Sequence, residues 1–104
     1  MAGLRVDLEA IPWKSPLPGL RFKAFREGGK QLRLVEFARE FVEPDWCAKG
    51  HYGFVLDGEF EIDFNGEIVT YKKGDGVFIP AGEASRHKAR ALTKTATFAF
   101  VEDI

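Results

Sequence analysis

The sequence is poor in residues that form cross-links: its 104 residues include a single cysteine, Cys47, two histidines and one methionine. One cysteine excludes an internal disulfide, which is typical of a protein kept in a reducing compartment. Long apolar runs are missing too, because no stretch approaches the ~20 residues that cross a bilayer, and residues 1–7 contain no apolar signal region. These absences predict a cytoplasmic protein with no membrane partner.

An excess of charge of one sign is also lacking. The 15 Lys and Arg residues nearly balance the 16 Asp and Glu residues, which gives a formal net charge of -1. Nucleic-acid binding depends on clustered positive charge, so this balance argues against a nucleic-acid partner. Apolar residues, by contrast, make up 45% of the chain and include ten phenylalanines, enough for a core. The length fits a single domain, and we predict one that spans residues 1–104.

The pattern between the turn signals is that of an all-β protein. Charged and apolar residues alternate strictly over residues 59–64, which is typical of a strand with one buried face. Asn65 and Gly66 follow as a hairpin signal, because both residue types tolerate positive φ. Residues 16–19 are expected to form a turn, and at most a short helical turn is expected near the N-terminus. The other predicted strands cover residues 20–26, 31–38, 51–56, 67–71, 77–79, 85–89 and 95–101. Many short strands predict a sandwich or a closed barrel.

Two blocks of sequence resemble the motifs of the cupin superfamily. Residues 50–59, GHYGFVLDGE, are similar to the first cupin motif, and residues 74–82, GDGVFIPAG, are similar to the start of the second. The order of the blocks and the short hairpin between them strengthen the likeness. The resemblance implies a single small cupin domain with its core motifs in residues 45–87. It also implies a small antiparallel β-barrel, the jelly roll or double-stranded β-helix.

The resemblance further places the ligand positions of metal-binding cupins, which carry two histidines and a glutamate in the first motif and a histidine in the second. Those positions fall on Asp45, Cys47, His51 and Ser85, with His87 two residues beyond, so none keeps the usual residue. Asp, Cys and His are nonetheless competent ligands, and thiolate with imidazole suits zinc or iron. Residues of the same strand parity point to one face. We therefore predict a non-standard site for a divalent metal, formed by His51, His87, Cys47 and Asp45.

The surroundings of this site can be predicted in part. Gly53, on the His51 side of its strand, is expected to leave room inside the barrel, while Trp46 and Ser85 are expected to line the pocket. Within the predicted strand 31–38, Arg33 and Glu36 have opposite parity, so at least one of them faces solvent and the other is a candidate polar residue of the cavity.

A metal-free pocket is the alternative interpretation. A solitary cysteine is often a small buried hydrophobe, and a histidine at a barrel mouth can simply hydrogen-bond to a neighbour. The protein would then bind a small molecule, such as a sugar, without catalysis. Cupins include dioxygenases, isomerases, lyases and decarboxylases, so the resemblance leaves open whether this chain is an enzyme.

Self-association is expected from the fold that the motifs imply. A small barrel with an open edge exposes unpaired backbone groups, and a second copy can cover them. The N-terminal strand and the predicted strand 95–101 are the two candidates for exchange. We therefore expect a homodimer that takes a small-molecule ligand.

Overall fold

Nine strands form the fold, which is described for residues 5–104 by a computed structural model. The strands are β1 (Lys14–Leu17), β2 (Leu20–Glu27), β3 (Lys30–Ala38), β4 (His51–Asp57), β5 (Glu59–Phe64), β6 (Glu67–Lys72), β7 (Gly76–Ile79), β8 (Lys88–Ala91) and β9 (Thr95–Asp103). Two short 3-10 turns, Leu8–Ala10 and Glu83–Ser85, complete the regular structure. Among the described residues no helix is long and apolar enough to cross a membrane.

The strands assemble into two antiparallel sheets. The large sheet has the order β1-β2-β3-β9-β4-β7, and the small sheet has the order β6-β5-β8. Apolar residues of the two inner faces pack together, with Phe60, Ile79 and Val55 the largest fully buried side chains. This arrangement confirms the predicted all-β jelly-roll fold.

The hairpin β5–β6 forms as its sequence predicts. Phe60 and Ile62 are buried against the large sheet, whereas the charged residues between them stay on the outer side. Asn65 and Gly66 adopt φ values of 56° and 107°, and the Gly66 amide donates a hydrogen bond to the Asp63 side chain. Positive φ at both positions matches the twist of the two strands, so local sequence fixes this register.

Two predicted boundaries are wrong, each for a physical reason. Pro16 lies inside β1 and not in a turn; β1 is an edge strand, where the missing amide of proline breaks no ladder. The predicted strand 85–89 begins later, at Lys88, because Glu83–Ser85 forms a 3-10 turn after Gly82.

Strand β9 occupies the centre of the large sheet, between β3 and β4. The sequence suggests this strand and the N-terminal strand as candidates for exchange in a dimer. β9 is not an open edge of the sheet, whereas β1 does lie at an edge. Tyr52 of β4 pairs with Val101 of β9, so the inward-facing neighbours His51 and Glu102 lie side by side. This register determines the chemistry at one end of the barrel.

Candidate metal centre

Cys47 and His87 are brought together by an isolated antiparallel bridge. The Cys47 amide donates to the His87 carbonyl at 2.8 Å, and the His87 amide donates to the Cys47 carbonyl at 2.9 Å. Residues that exchange both backbone bonds project their side chains to the same side of the pair. The thiol and the imidazole therefore enter the barrel next to each other, although neither residue belongs to one of the nine strands.

His51, the first residue of β4, completes the cluster from the large sheet. Its Nε2 atom lies 3.6 Å from the Cys47 Sγ atom. One ligand atom from each of Cys47, His51 and His87 lies within 4.8 Å of the other two. In a tetrahedral zinc site with Zn–S of about 2.3 Å and Zn–N of about 2.0 Å, sulfur and nitrogen ligands are about 3.5 Å apart. Cys47 and His51 thus have the spacing of a zinc-type site, and His87 has a ligand atom within 4.8 Å of both.

Both imidazole rings are held by the nitrogen that faces away from the cluster. The Nδ1 atom of His87 lies 3.0 Å from the Ser85 carbonyl oxygen, and the Nδ1 atom of His51 forms an ion pair with the Glu102 carboxylate. Histidine ligands of metals are commonly oriented in this way, by a backbone carbonyl or a carboxylate on the second nitrogen. The contacts leave the Nε2 atom of each ring for the cluster.

Glu102 is itself fixed by a buried polar network. The Arg33 side chain donates two hydrogen bonds to its carboxylate, from Nε at 2.6 Å and Nη2 at 3.0 Å, and the Gln31 amide donates a third at 3.0 Å. These partners meet because β9 lies between β3 and β4. Glu36, of opposite parity, forms a salt bridge with Arg21 on the outer side. Of Arg33 and Glu36, Arg33 therefore faces the inside of the barrel and Glu36 faces outward.

The cluster shifts the ionisation of its own members. Burial disfavours the thiolate, but hydrogen bonds with His51 and His87 and with the Lys49 backbone overcome this and lower the pKa of Cys47 to about 5. Burial likewise opposes the imidazolium, yet the contacts with Cys47 and Glu102 raise the pKa of His51 to about 9. The pKa of His87 is raised by Cys47 and by the Ser85 carbonyl, again against burial. At neutral pH the metal-free cluster holds a thiolate beside imidazolium.

Cys47 is therefore expected to react as a thiolate well below neutral pH. An ordinary thiol has a pKa of ~8.5, so its alkylation slows continuously as the pH falls below that value. In the metal-free protein, alkylation of Cys47 by iodoacetamide should stay nearly constant down to about pH 5, where its own pKa lies. Intact-protein mass spectrometry over a pH series measures this. The His51→Ala variant should move the midpoint of the profile upward; an ordinary profile in the wild type would contradict the assignment.

The cluster borders a partly open cavity of about 90 Å³ between the two sheets. Its walls are mainly phenylalanine and aliphatic side chains, with Arg33 and Glu43 as the other polar residues besides the cluster itself. Burial raises the pKa of Glu43. The hydrogen bond that its carboxylate accepts from the Ala89 amide offsets part of this increase. A cationic side chain and a carboxyl group that takes up a proton easily therefore border the same space.

Asp45 and Trp46 lie outside this cavity. Asp45 is exposed and does not belong to the cluster of ligand atoms, because residues 43–46 form no continuous strand and the parity argument does not apply to them. The Trp46 ring is partly exposed and lies beneath the cationic groups of Arg86 and Lys88, which are 4.9 and 4.8 Å from its centre.

Gly53 and Ser85 have different roles from those that the sequence proposes for them. A Cβ atom at Gly53 would lie 1.7 Å from the Ala99 carbonyl oxygen, so glycine permits the close approach of β4 to β9 and does not widen the cavity. Ser85 is partly buried and supplies its backbone carbonyl to His87.

Sequence reasoning missed Glu43 and Glu102. Glu43 lies in the irregular segment after β3 and carries no local signal of its position. Glu102 lies just beyond the predicted strand 95–101; extending the alternation of buried residues in β9 by one step would have placed it on the inner face.

Solved structures of similar fold come from several bacteria. KdgF from Halomonas sp. has a TM-score of 0.79 at 23% identity and covers 99% of this chain and 94% of its own. A protein of unknown function from Rhizobium leguminosarum bv. viciae 3841 has a TM-score of 0.79 at 18% identity, with 99% and 98% covered. An RmlC-like cupin from Shewanella frigidimarina has a TM-score of 0.73 at 18% identity, with 91% and 85% covered. At these identities the likeness concerns the fold.

The sequence comparison is more specific. A search of curated protein sequences returned no match. The profile of the cupin domain matches residues 45–102, which are 58 of the 104 residues and include Cys47, His51 and His87. This span begins just before the cluster and ends at Glu102, within the two-sheet fold described above. The chain therefore belongs to the cupin domain family.

Proposed function

We propose that this cupin binds a divalent transition-metal ion, zinc or iron, through Cys47, His51 and His87. The convergence of three ligand atoms within 4.8 Å of one another carries the proposal. The support on the far side of both imidazole rings adds to it, because it orients the two Nε2 atoms before any ion arrives. One thiolate with two imidazoles is a ligand set that favours zinc or iron over magnesium or calcium.

Three protein ligands leave a coordination position for an exchangeable group. A metal held in this way acts as a Lewis acid that polarises an oxygen ligand. The protein's own contribution is the space around it: phenylalanine side chains make its walls mainly apolar, and Arg33, which is held by Glu102, lines the same space. Glu43, with its raised pKa, is the residue placed to hold or release a proton beside a bound ligand.

The size of the cavity limits what can enter. Its volume of about 90 Å³ is well below the ~150 Å³ of an engineered cavity that holds benzene. A ligand with few non-hydrogen atoms fits inside, whereas a sugar could insert only part of its ring. The metal-free, sugar-binding alternative therefore has less support than the metal site, and the same experiment separates the two.

Metal analysis of protein prepared without a histidine tag tests the proposal. After reconstitution with zinc and removal of excess ion, the wild type should retain one zinc per chain and unfold at a higher temperature, because an ion that binds only the folded state stabilises it. His51→Ala, His87→Ala and Cys47→Ser should each lose the bound zinc. Asp45→Ala is the matched control, because Asp45 is a potential ligand by type that lies outside the cluster.

Two results would overturn the proposal. One is a wild type that retains no zinc or iron after reconstitution, which would favour the metal-free pocket. The other is full zinc retention in His51→Ala together with an unchanged melting temperature, since the ion would then be bound elsewhere.

A further inference from the structure

The outer face of the large sheet carries an apolar surface that residues 5–104 cover at one end only. Register places five apolar residues in one row across five strands: Phe25, Leu32, Val101, Tyr52 and Phe78. The next row outward contains Leu34, Ala99, Phe54 and Gly76, with Lys23 at its far end. We propose that these two rows, called here the outer apolar face, form the interface of a homodimer.

The exposure of this face is concentrated at the β4–β7 end. Phe54 is 63% exposed and Phe78 is 81% exposed. At the other end, the N-terminal segment covers the sheet: Trp13 lies against Arg21 and Lys23, and the Lys23 amino group donates to the Leu8 carbonyl. The chain thus shields one end of the face and leaves two large aromatic side chains in solvent at the other.

The area matches what a stable dimer requires. Taking ~150–250 Å² for a whole aromatic side chain, the exposed parts of Phe54, Phe78, Tyr52 and Val101, together with the adjoining Leu56 of β4, sum to apolar surface on the order of 500 Å². A standard interface buries roughly 800 Å² per partner, of which about 65% is apolar in homodimers. The outer apolar face therefore supplies the apolar core of one such interface.

The shape of the face favours a second copy over another partner. A two-fold interface requires the same surface to carry both a protrusion and a recess. Phe78 protrudes, and beside it Gly76 leaves a depression that Tyr52 and Phe54 border. A Cβ atom added at Gly76 would find only one atom within 4 Å, at 3.9 Å, so the space above it is open. One copy's Phe78 can fill the other copy's depression.

Charge and edge position agree with this assignment. Lys23, at the end that Trp13 covers, is the one charged residue of the two rows, so the exposed part of the face has no charge that would repel an identical face. Strand β7 is also an edge of the large sheet. The apolar side chains beside this edge would otherwise stay exposed to other chains, and packing against a second copy covers them.

Sedimentation analysis over a range of concentrations tests the proposal. The wild type should be a dimer from micromolar concentrations upward. Phe78→Lys places a charge in the centre of the interface in both copies and should raise the dissociation constant roughly 100-fold or more. Ile68→Lys is the matched control: Ile68 is also exposed and apolar but lies on β6 of the small sheet, so this variant should remain dimeric. Circular dichroism confirms folding, and Phe54→Lys serves as a second variant.

The result is independent of the metal centre, because Phe78 and His51 lie on opposite faces of the large sheet. A monomeric Phe78→Lys that still retains zinc would support the dimer and leave the metal proposal intact. A monomeric wild type, a Phe78→Lys that stays dimeric, or a dimer lost in Ile68→Lys would overturn the interface whatever the zinc content.

Discussion

Replacing Glu102 by glutamine is expected to lower the free energy of unfolding by about 3 kcal/mol, because removal of one partner of a buried ion pair leaves the other charge uncompensated. The Glu102 side chain is only 3% exposed, and it forms ion pairs with both Arg33 and His51. For a domain of this size such a loss lowers the melting temperature by roughly 15 °C. The His51 ring also loses its support, and zinc affinity should fall by about 10- to 100-fold. Thermal unfolding and zinc titration measure the two effects.

Asp103→Asn is the control for this variant. Asp103 is the next residue in the same strand and pairs with Lys30 at 2.7 Å, but its side chain is 80% exposed. Water and salt screen an exposed pair of this kind, so the control should change the stability of the protein little. If Glu102→Gln proves no more destabilising than Asp103→Asn, the buried network does not have the role described for it.

The Glu102 carboxylate also makes the stability of the folded protein depend on pH. Burial opposes its ionisation, but His51 and Arg33 lower the pKa of Glu102 from 4.5 to about 2. A lowered pKa in the folded state stabilises the protein above the unfolded value, and that stability is lost as the pH falls through the folded value. The wild type should therefore lose stability between about pH 4.5 and pH 2, and Glu102→Gln should lack this part of the acid transition.

Gly53→Ala is expected to have the second large effect: a protein that is largely unfolded or insoluble. The added methyl carbon would lie 1.7 Å from the Ala99 carbonyl oxygen and 2.8 Å from its carbonyl carbon. Both contacts are with backbone, so β4 and β9 would have to separate at the centre of the large sheet. A cost above ~4 kcal/mol is exceptional for a single substitution and follows from a defined steric mechanism such as this one. Soluble yield and denaturant unfolding measure it.

Gly76→Ala is the matched substitution in the neighbouring strand. Its added carbon would lie 3.9 Å from the nearest atom, which is the Gly53 carbonyl oxygen, so the folded subunit should tolerate it. A Gly53→Ala protein that unfolds at the wild-type temperature would show that the two strands have room to adjust.

Local sequence was sufficient for most of the fold. The alternation in residues 59–64 and the Asn65-Gly66 pair depend only on neighbours in sequence, and the structure confirms the hairpin they predict. The same reasoning failed at Pro16, because whether a proline can lie in a strand depends on whether that strand is at an edge. Edge position is a property of the whole sheet.

The sequence predicted the types of residue in the candidate site, but it predicted only part of the set of residues that form the site. The sequence predicted metal ligands at Cys47, His51 and His87, and the structure brings these three residues together. Asp45 was nominated by the same parity argument and lies outside, because that argument requires a strand and residues 43–46 do not form one. Glu102 was missed, since its contact with His51 spans most of the chain and depends on β9 lying between β3 and β4.

The central position of β9 also dictates an order of assembly. The hairpins β2–β3 and β5–β6 close over short loops and can form independently. Within the large sheet, however, β9 alone joins the β1-β2-β3 half to the β4-β7 half, through pairs as distant in sequence as Lys30 and Asp103. Closing such long loops costs chain entropy before any contact compensates for it. Because Glu102 is part of β9, it reaches His51 only when β9 inserts and the two halves become one sheet.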